Sequence, residues 1–194
     1  MTDIKKLYVI AGCNGAGKTT ASFTILPDIL NCKEFVNADE IARGLSPFQP
    51  EKVAFESGRI MLLRINELVN QGADFAFETT LSTKTYQQKI TDARQKGYFV
   101  TLVFFWLHNT ALAKERVRIR VSEGGHNIPT EIIERRYHRG LKNFFDTYIN
   151  LCDNVMLFDN SGNTPNFVMQ KEKDTEAVIF DNMVYQEIKS SYNG

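Results

Sequence analysis

Apolar residues along the chain follow two rhythms, one of short unbroken runs and one of helical spacing. Leu7-Tyr8-Val9-Ile10-Ala11 is a run ending at a glycine, the pattern of a strand buried on both faces. Lys18 to about Leu30 then predicts a helix, ended or kinked by Pro27. Glu34-Phe35-Val36-Asn37 predicts a second strand, stopping at Asp39. From Glu51 to Gln71 the residues Ala54, Phe55, Ile60, Met61, Leu63, Leu68 and Val69 recur at helical spacing, and Gly72 stands where a C-terminal cap belongs. Phe75-Ala76-Phe77 predicts a third strand, Thr85 to Lys96 a helix closed by Gly97, and Tyr98 to Leu107 a central strand. Thr110 to Val121 reads as a helix broken by Gly124-Gly125, and Pro129 opens another that runs to about Asn150. Asn154 to Phe158 is the last of the parallel strands.

Strands alternating with helices of this length imply an α/β fold with a mostly parallel sheet of five strands. The tail breaks the alternation: Asn166 to Lys171 and Ala177 to Phe180 predict a hairpin around Lys173-Asp174, followed by a short helix. With 194 residues, and neither an internal repeat nor a low-complexity linker, the chain is expected to form a single domain.

Composition narrows the partners. Lys plus Arg and Asp plus Glu are 23 each, so no overall positive field collects nucleic acid or an anionic membrane, and a nucleic-acid partner is disfavoured. No stretch approaches the roughly 18 to 20 apolar residues of a membrane span, and the start leads straight into a strand, so the protein is expected in the cytoplasm. Cys13, Cys32 and Cys152 are odd in number and widely spaced, which suits neither a disulfide framework nor a paired metal site, and predicts reduced thiols.

The chemistry starts at Gly12-Cys13-Asn14-Gly15-Ala16-Gly17-Lys18-Thr19, followed by Thr20. A Gly-x-x-x-x-Gly-Lys-Thr spacing between strand and helix lets the backbone wrap closely, so that successive N–H groups and the helix N-terminus point at phosphates. Lys18 is expected to reach the β- and γ-phosphates of ATP, and the Thr19 hydroxyl to ligate Mg²⁺. The competing reading, a glycine turn that merely opens a helix, does not account for the strand-to-helix context. Cys13 is read as a small side chain at a variable loop position.

The loop alone does not name the reaction. No Asn/Thr-Lys-x-Asp element reads guanine. Val155-Met156-Leu157-Phe158-Asp159 is followed by Asn160 rather than a catalytic Glu, and Asp159 is expected to cap the turn after its strand. Asp39 and Glu78 instead stand at the ends of two other strands, where ligands bind in open α/β sheets. Transfer of a phosphoryl group to an alcohol needs one carboxylate to accept the hydroxyl proton, while others hold Mg²⁺ directly or through water. Each acid taken alone could simply cap the following helix; the pair beside such a loop favours a kinase.

Arg116 and Arg120 lie four apart on one helical face, with Arg118 turned away. Beyond the Ser122-Glu123-Gly124-Gly125-His126 hinge, the apolar stripe Ile133, Tyr137, Leu141, Phe144 and Tyr148 is bordered by Arg136, while Arg135 and Arg139 project away. The segment from about 116 to 136 is therefore expected to be a lid whose Arg120 and Arg136 meet phosphate, with Arg118, Arg135 and Arg139 solvated. A lone loop histidine such as His126 is read as structural. Against the kinase reading stands one from another class, a nucleotide-binding switch or interaction module with no phosphorylated acceptor.

These residues resemble the zeta-toxin-like P-loop kinases. The shared blocks are Gly12 to Thr20, Phe35-Val36-Asn37-Ala38-Asp39-Glu40-Ile41-Ala42, Glu56 to Met61, Phe75-Ala76-Phe77-Glu78-Thr79-Thr80-Leu81, Gly124-Gly125-His126-Asn127-Ile128-Pro129 and Arg135-Arg136-Tyr137-His138-Arg139-Gly140-Leu141. The resemblance implies a three-layer α/β/α fold with nucleotide-kinase strand order 2-3-1-4-5, and ATP-dependent phosphorylation of a small-molecule hydroxyl. In the toxins proper the acceptor is a UDP-activated amino sugar, and an antitoxin protein blocks the ATP site. Carried over, Asp39 is the base, Lys18 and Thr19 handle ATP and Mg²⁺, Glu78 sits at substrate or metal, and Arg120 and Arg136 bind phosphates. Asn37, Arg43, Arg59, Thr79 and Thr80 join the expected substrate pocket because they neighbour the two carboxylates or lie in the shared blocks.

Overall fold

A computed structural model describes residues 4–125 and 127–193. The central strand β1 (Lys5–Gly12) alternates its side chains between the two faces of one sheet. Leu7, Val9 and Ala11 enter one apolar cluster, and Tyr8 and Ile10 enter the other. Elements follow in the order α1 (Lys18–Thr24), β2 (Phe35–Val36), α2 (Ala38–Leu45), α3 (Ala54–Gln71), β3 (Phe75–Thr79), α4 (Thr85–Gln95), β4 (Tyr98–Trp106), α5 (Thr110–Ser122), α6 (Thr130–Asn143), α7 (Ile149–Leu151), β5 (Asn154–Asp159), β6 (Asn166–Glu172), β7 (Val178–Ile179) and α8 (Asn182–Asn193). Helices α3, α4 and α8 supply one cluster and α5 the other, so the sheet is the middle of three layers. Among the described residues, no helix is long and apolar enough to cross a membrane.

The parallel strands stand in the order β2-β3-β1-β4-β5, as the family resemblance implies. The expected total of five strands is corrected: among the described residues the sheet has seven, continuing β5-β6-β7. The tail hairpin forms, but it does not stand apart. Strand β6 pairs antiparallel with β5, from Asn154 opposite Glu172 to Asp159 opposite Asn166, and β7 pairs antiparallel with β6. Burial draws it in: Val168 and Met169 join the main core, and the Phe167 ring packs 4.9 Å from that of Phe158.

One helix end widens where a proline strains it. After α1 the chain makes a π-turn over Ile25–Ile29, in which Leu30 N–H donates to Ile25 O at 3.0 Å. Pro27 has no N–H to offer an ordinary turn, and the wider turn absorbs it. In α3 the expected stripe is half right. Met61, Leu68 and Val69 are buried, but Phe55 and Leu63 are 85% and 59% exposed, and Ser57 and Ile65 take the inward places.

Helix α6 is what closes the site end of the sheet. Its stripe is buried as expected, yet Ile133 and Tyr137 belong to one cluster, and Leu141, with Phe144 and Tyr148 of the π-turn after it, to the other. The helix therefore crosses from face to face over the carboxyl ends of the strands. Tyr137 Oη donates to Leu107 O just beyond β4 at 2.7 Å, and Asn143 Nδ2 to Leu81 O beyond β3 at 2.6 Å. Between them Gly140 sits so close to that loop that an added Cβ would lie 2.4 Å from Thr80 O.

Candidate nucleotide and acceptor site

Strand β1 delivers Gly12 beside Phe105 of β4, and the loop then turns into α1 with Gly17 at its N-cap in the left-handed region (φ 78°). Lys18, only 6% exposed, folds back across the loop and donates to Cys13 O at 2.9 Å. Its Nζ also lies 3.5 Å from Glu78 Oε1. The other oxygen of Glu78 accepts from Thr19 Oγ1 at 2.7 Å and from Asn37 Nδ2 at 2.9 Å. Glu78, on β3, thus gathers the loop lysine, the loop threonine and Asn37 around one carboxylate.

Asn37 has a second task. Its Oδ1 accepts the Asp39 N–H at 2.8 Å and caps α2. The cap is therefore Asn37, and the Asp39 side chain is left to line the cavities around the loop. Thr79 is buried and accepts the Leu81 N–H at 3.1 Å; Thr80 hydrogen-bonds Ser82 between their hydroxyls at 2.9 Å.

The arginines divide as the helical faces predict. Arg116 and Arg120 both face the loop, whereas Arg118 is exposed and pairs with Glu115 at 2.7 Å. Arg136 donates to Asn14 Oδ1 at 3.1 Å, and Arg135 and Arg139 are exposed. Burial holds the Arg136 guanidinium below its usual pKa, opposed by the negative charge of Asp39. An arginine remains charged through such a shift, so a half-buried cation faces the space beside Asp39. His126 lies outside the described residues.

Two adjoining cavities share Asn14, Lys18, Asp39 and Glu78. One, of about 310 Å³, is bounded by the loop residues Gly15, Gly17, Thr19 and Thr20 and by Arg116 and Arg120. The other, of about 210 Å³, is bounded by Asn37, Thr79, Thr80 and Arg136. A third space of about 400 Å³ takes Arg43, which pairs with Glu40 at 3.0 Å, together with Thr20 and Arg120. Ala16, within the loop, is buried. Arg59 is not brought in: it is exposed on α3 and lines none of these three spaces.

Sequence reasoning passed over Ser82, Thr83 and Tyr86 on the wall of the smaller cavity. The run Thr79-Thr80-Leu81-Ser82-Thr83, dense in hydroxyls directly after an acidic residue, was the available signal. It also did not assign Arg116 to this site, although its spacing from Arg120 marks it.

All three cysteines are free and buried. Burial pushes the thiols of Cys13 and Cys32 up to about 11 and that of Cys152 to about 12. At about pH 8 the reactive thiolate is scarce in the fold, so a disulfide-exchange reagent should label none of them within minutes. In urea all three should react; rapid native labelling of Cys13 would show that the loop opens.

The family described as Zeta toxin matches residues 50–183. An uncharacterized protein of Haemophilus influenzae is 29% identical over 141 residues, 69% of this chain and 98% of that one. Among solved structures, the AvrRxo1-ORF1:AvrRxo1-ORF2 complex with sulphate ions aligns with a TM-score of 0.77 and 18% identity, over 98% of this chain. The present chain spans 65% of the length of that one. The PezAT chromosomal toxin–antitoxin system of Streptococcus pneumoniae aligns with a TM-score of 0.65 and 11% identity, over 100% of this chain and 87% of that one. At these identities the structural likeness speaks for the fold, and the family match spans more than half of the sequence. The chain belongs to the zeta toxin family.

Proposed function

We propose that the protein is an ATP-dependent phosphotransferase that moves the γ-phosphate of MgATP to a hydroxyl of a small molecule, with Asp39 as general base. The observation that carries this reading is the position of Asp39, which lines both the cavity of the phosphate loop and the adjoining polar cavity. A carboxylate at that junction is placed to take the proton of a hydroxyl as it meets the γ-phosphate. Lys18, Arg120 and Arg136 bring positive charge to the transferring group, and the segment from about 116 to 136 serves as the lid of a single kinase domain. The Thr19 hydroxyl and the Glu78 carboxylate are hard oxygen donors in mutual contact, a set that fits Mg²⁺. Held by Thr19 and Glu78, such an ion would supply positive charge to offset that of the phosphates.

The acceptor in this reading is a nucleotide sugar of the UDP-activated amino sugar class, taken from the family, in a cytoplasmic enzyme. A protein antitoxin is included as partner, since the PezAT structure is described as a toxin–antitoxin system. The test is a screen for acceptor-dependent ADP release from MgATP over UDP-activated amino sugars, free sugars and polyols. Release with at least one acceptor, abolished by EDTA, is expected. ATP binding with no acceptor-dependent release from any pool would overturn the enzyme in favour of a nucleotide switch.

A further inference from the structure

The phosphate loop is gripped from outside. Asn160, the first residue after β5, donates its Nδ2–H to Ala16 O at 2.8 Å. Asn160 is itself anchored at both backbone ends: its N–H donates to Trp106 O at 2.9 Å, and its carbonyl accepts from Arg116 Nη1 at 2.8 Å. Arg116 Nη2 continues to Ser161 O and Gly162 O at 3.1 and 3.3 Å. One guanidinium thus ties α5 to three successive carbonyls of the turn that holds Asn160.

The consequence for the loop follows from peptide geometry. A trans peptide is planar, with its C=O and N–H pointing in opposite directions. Holding the Ala16 carbonyl toward Asn160 therefore holds the Gly17 N–H the other way, away from Asn160. Gly17 lines the cavity bounded by Lys18 and Thr19. A glycine passes between backbone wells at little cost, so an ungripped Ala16–Gly17 peptide is free to flip and withdraw that N–H. Space is also accounted for: a Cβ on Gly17 would lie 2.5 Å from Asn160 Nδ2.

We propose that Asn160 is a positioning residue for the nucleotide, which keeps the Gly17 N–H directed at the phosphates, with Arg116 as the strut that holds Asn160. This rests on the nucleotide-binding half of the function proposed above, and needs no phosphotransfer. The probes are inorganic tripolyphosphate and ATP, titrated by calorimetry into the wild-type chain and Asn160→Ala, with the Gly17 amide followed in ¹H–¹⁵N spectra. Asn160→Ala should bind both probes about tenfold more weakly, the scale of one lost hydrogen bond at a charged ligand. The phosphate-induced shift of the Gly17 amide should shrink in parallel.

Tripolyphosphate carries no base, so a loss seen with ATP alone would assign Asn160 to the nucleobase and overturn the proposal. Unchanged affinity with an unchanged Gly17 shift would overturn it as well. The amide shift is read from folded molecules only, and so decides the matter even where the variant melts earlier. A wild-type chain that binds neither probe defeats both this inference and the kinase, whereas binding without turnover defeats the kinase alone.

Discussion

Asp39→Asn is expected to keep MgATP affinity within a factor of about two, while acceptor-dependent ADP release falls by about 10²- to 10⁴-fold, the usual worth of a general base. The substitution is isosteric and leaves the backbone N–H that Asn37 caps, so the first turn of α2 should survive. What disappears is the carboxylate at the junction of the two cavities. The charge beside Arg136 disappears with it, which favours rather than opposes an anionic nucleotide. Glu78 is a poor substitute. Its two oxygens already face Thr19 and Asn37 on one side and Lys18 on the other. Separate titration and turnover measurements make the split visible. Full turnover in Asp39→Asn would move the base elsewhere, and a joint loss of binding and turnover would make Asp39 a binding residue.

Gly140→Ala sets two known effects against each other. Glycine inside a helix costs about 1 kcal/mol relative to alanine, so an exposed site would be stabilised by the change. At this site the new methyl would stand 2.4 Å from Thr80 O, a backbone atom in the loop that follows β3. Overpacking of that kind costs roughly 1–3 kcal/mol or more when the obstacle cannot rotate away. Because a carbonyl of the main chain is the obstacle, the clash should lie at the upper end of that range and win by about 1–2 kcal/mol net, lowering Tm by about 2–8 °C for a chain of this size. Arg136 is one turn earlier on the same helix, so acceptor-dependent turnover should fall in the same variant. A raised Tm would mean that α6 does not sit against Thr80 as described.

The parts of the molecule readable from sequence are those with local causes. The phosphate loop rests on glycine spacing within eight residues, and the stripe Ile133, Tyr137, Leu141, Phe144 and Tyr148 on a single helical period; all five of those side chains are buried. The placement of Asp39 and Glu78 beside the loop was legible because strand ends gather along one edge of an open α/β sheet. What escaped depends on contacts distant in sequence. Nothing local tells Phe55 and Leu63 which side of α3 will meet the core. The joining of the tail hairpin to the sheet rests on the pairing of β6 with β5 and on Phe167 against Phe158. The placement of Asn160 against Ala16 links residues 144 positions apart, and no periodicity announces it.

The sheet tapers. Its longest strand, β4, has 9 residues and lies near the middle, while the strands at the two rims, β2 and β7, have 2 each. An exposed rim strand is a template on which a second chain can add by main-chain hydrogen bonding, and long flat rims invite aggregation. Here each rim strand offers a ladder only two residues long. The added hairpin thus shields the seven-residue length of β6 behind a short outer strand only in part, but it moves the well-paired β5, and the turn that grips the phosphate loop, away from the margin where a stray strand could compete for them.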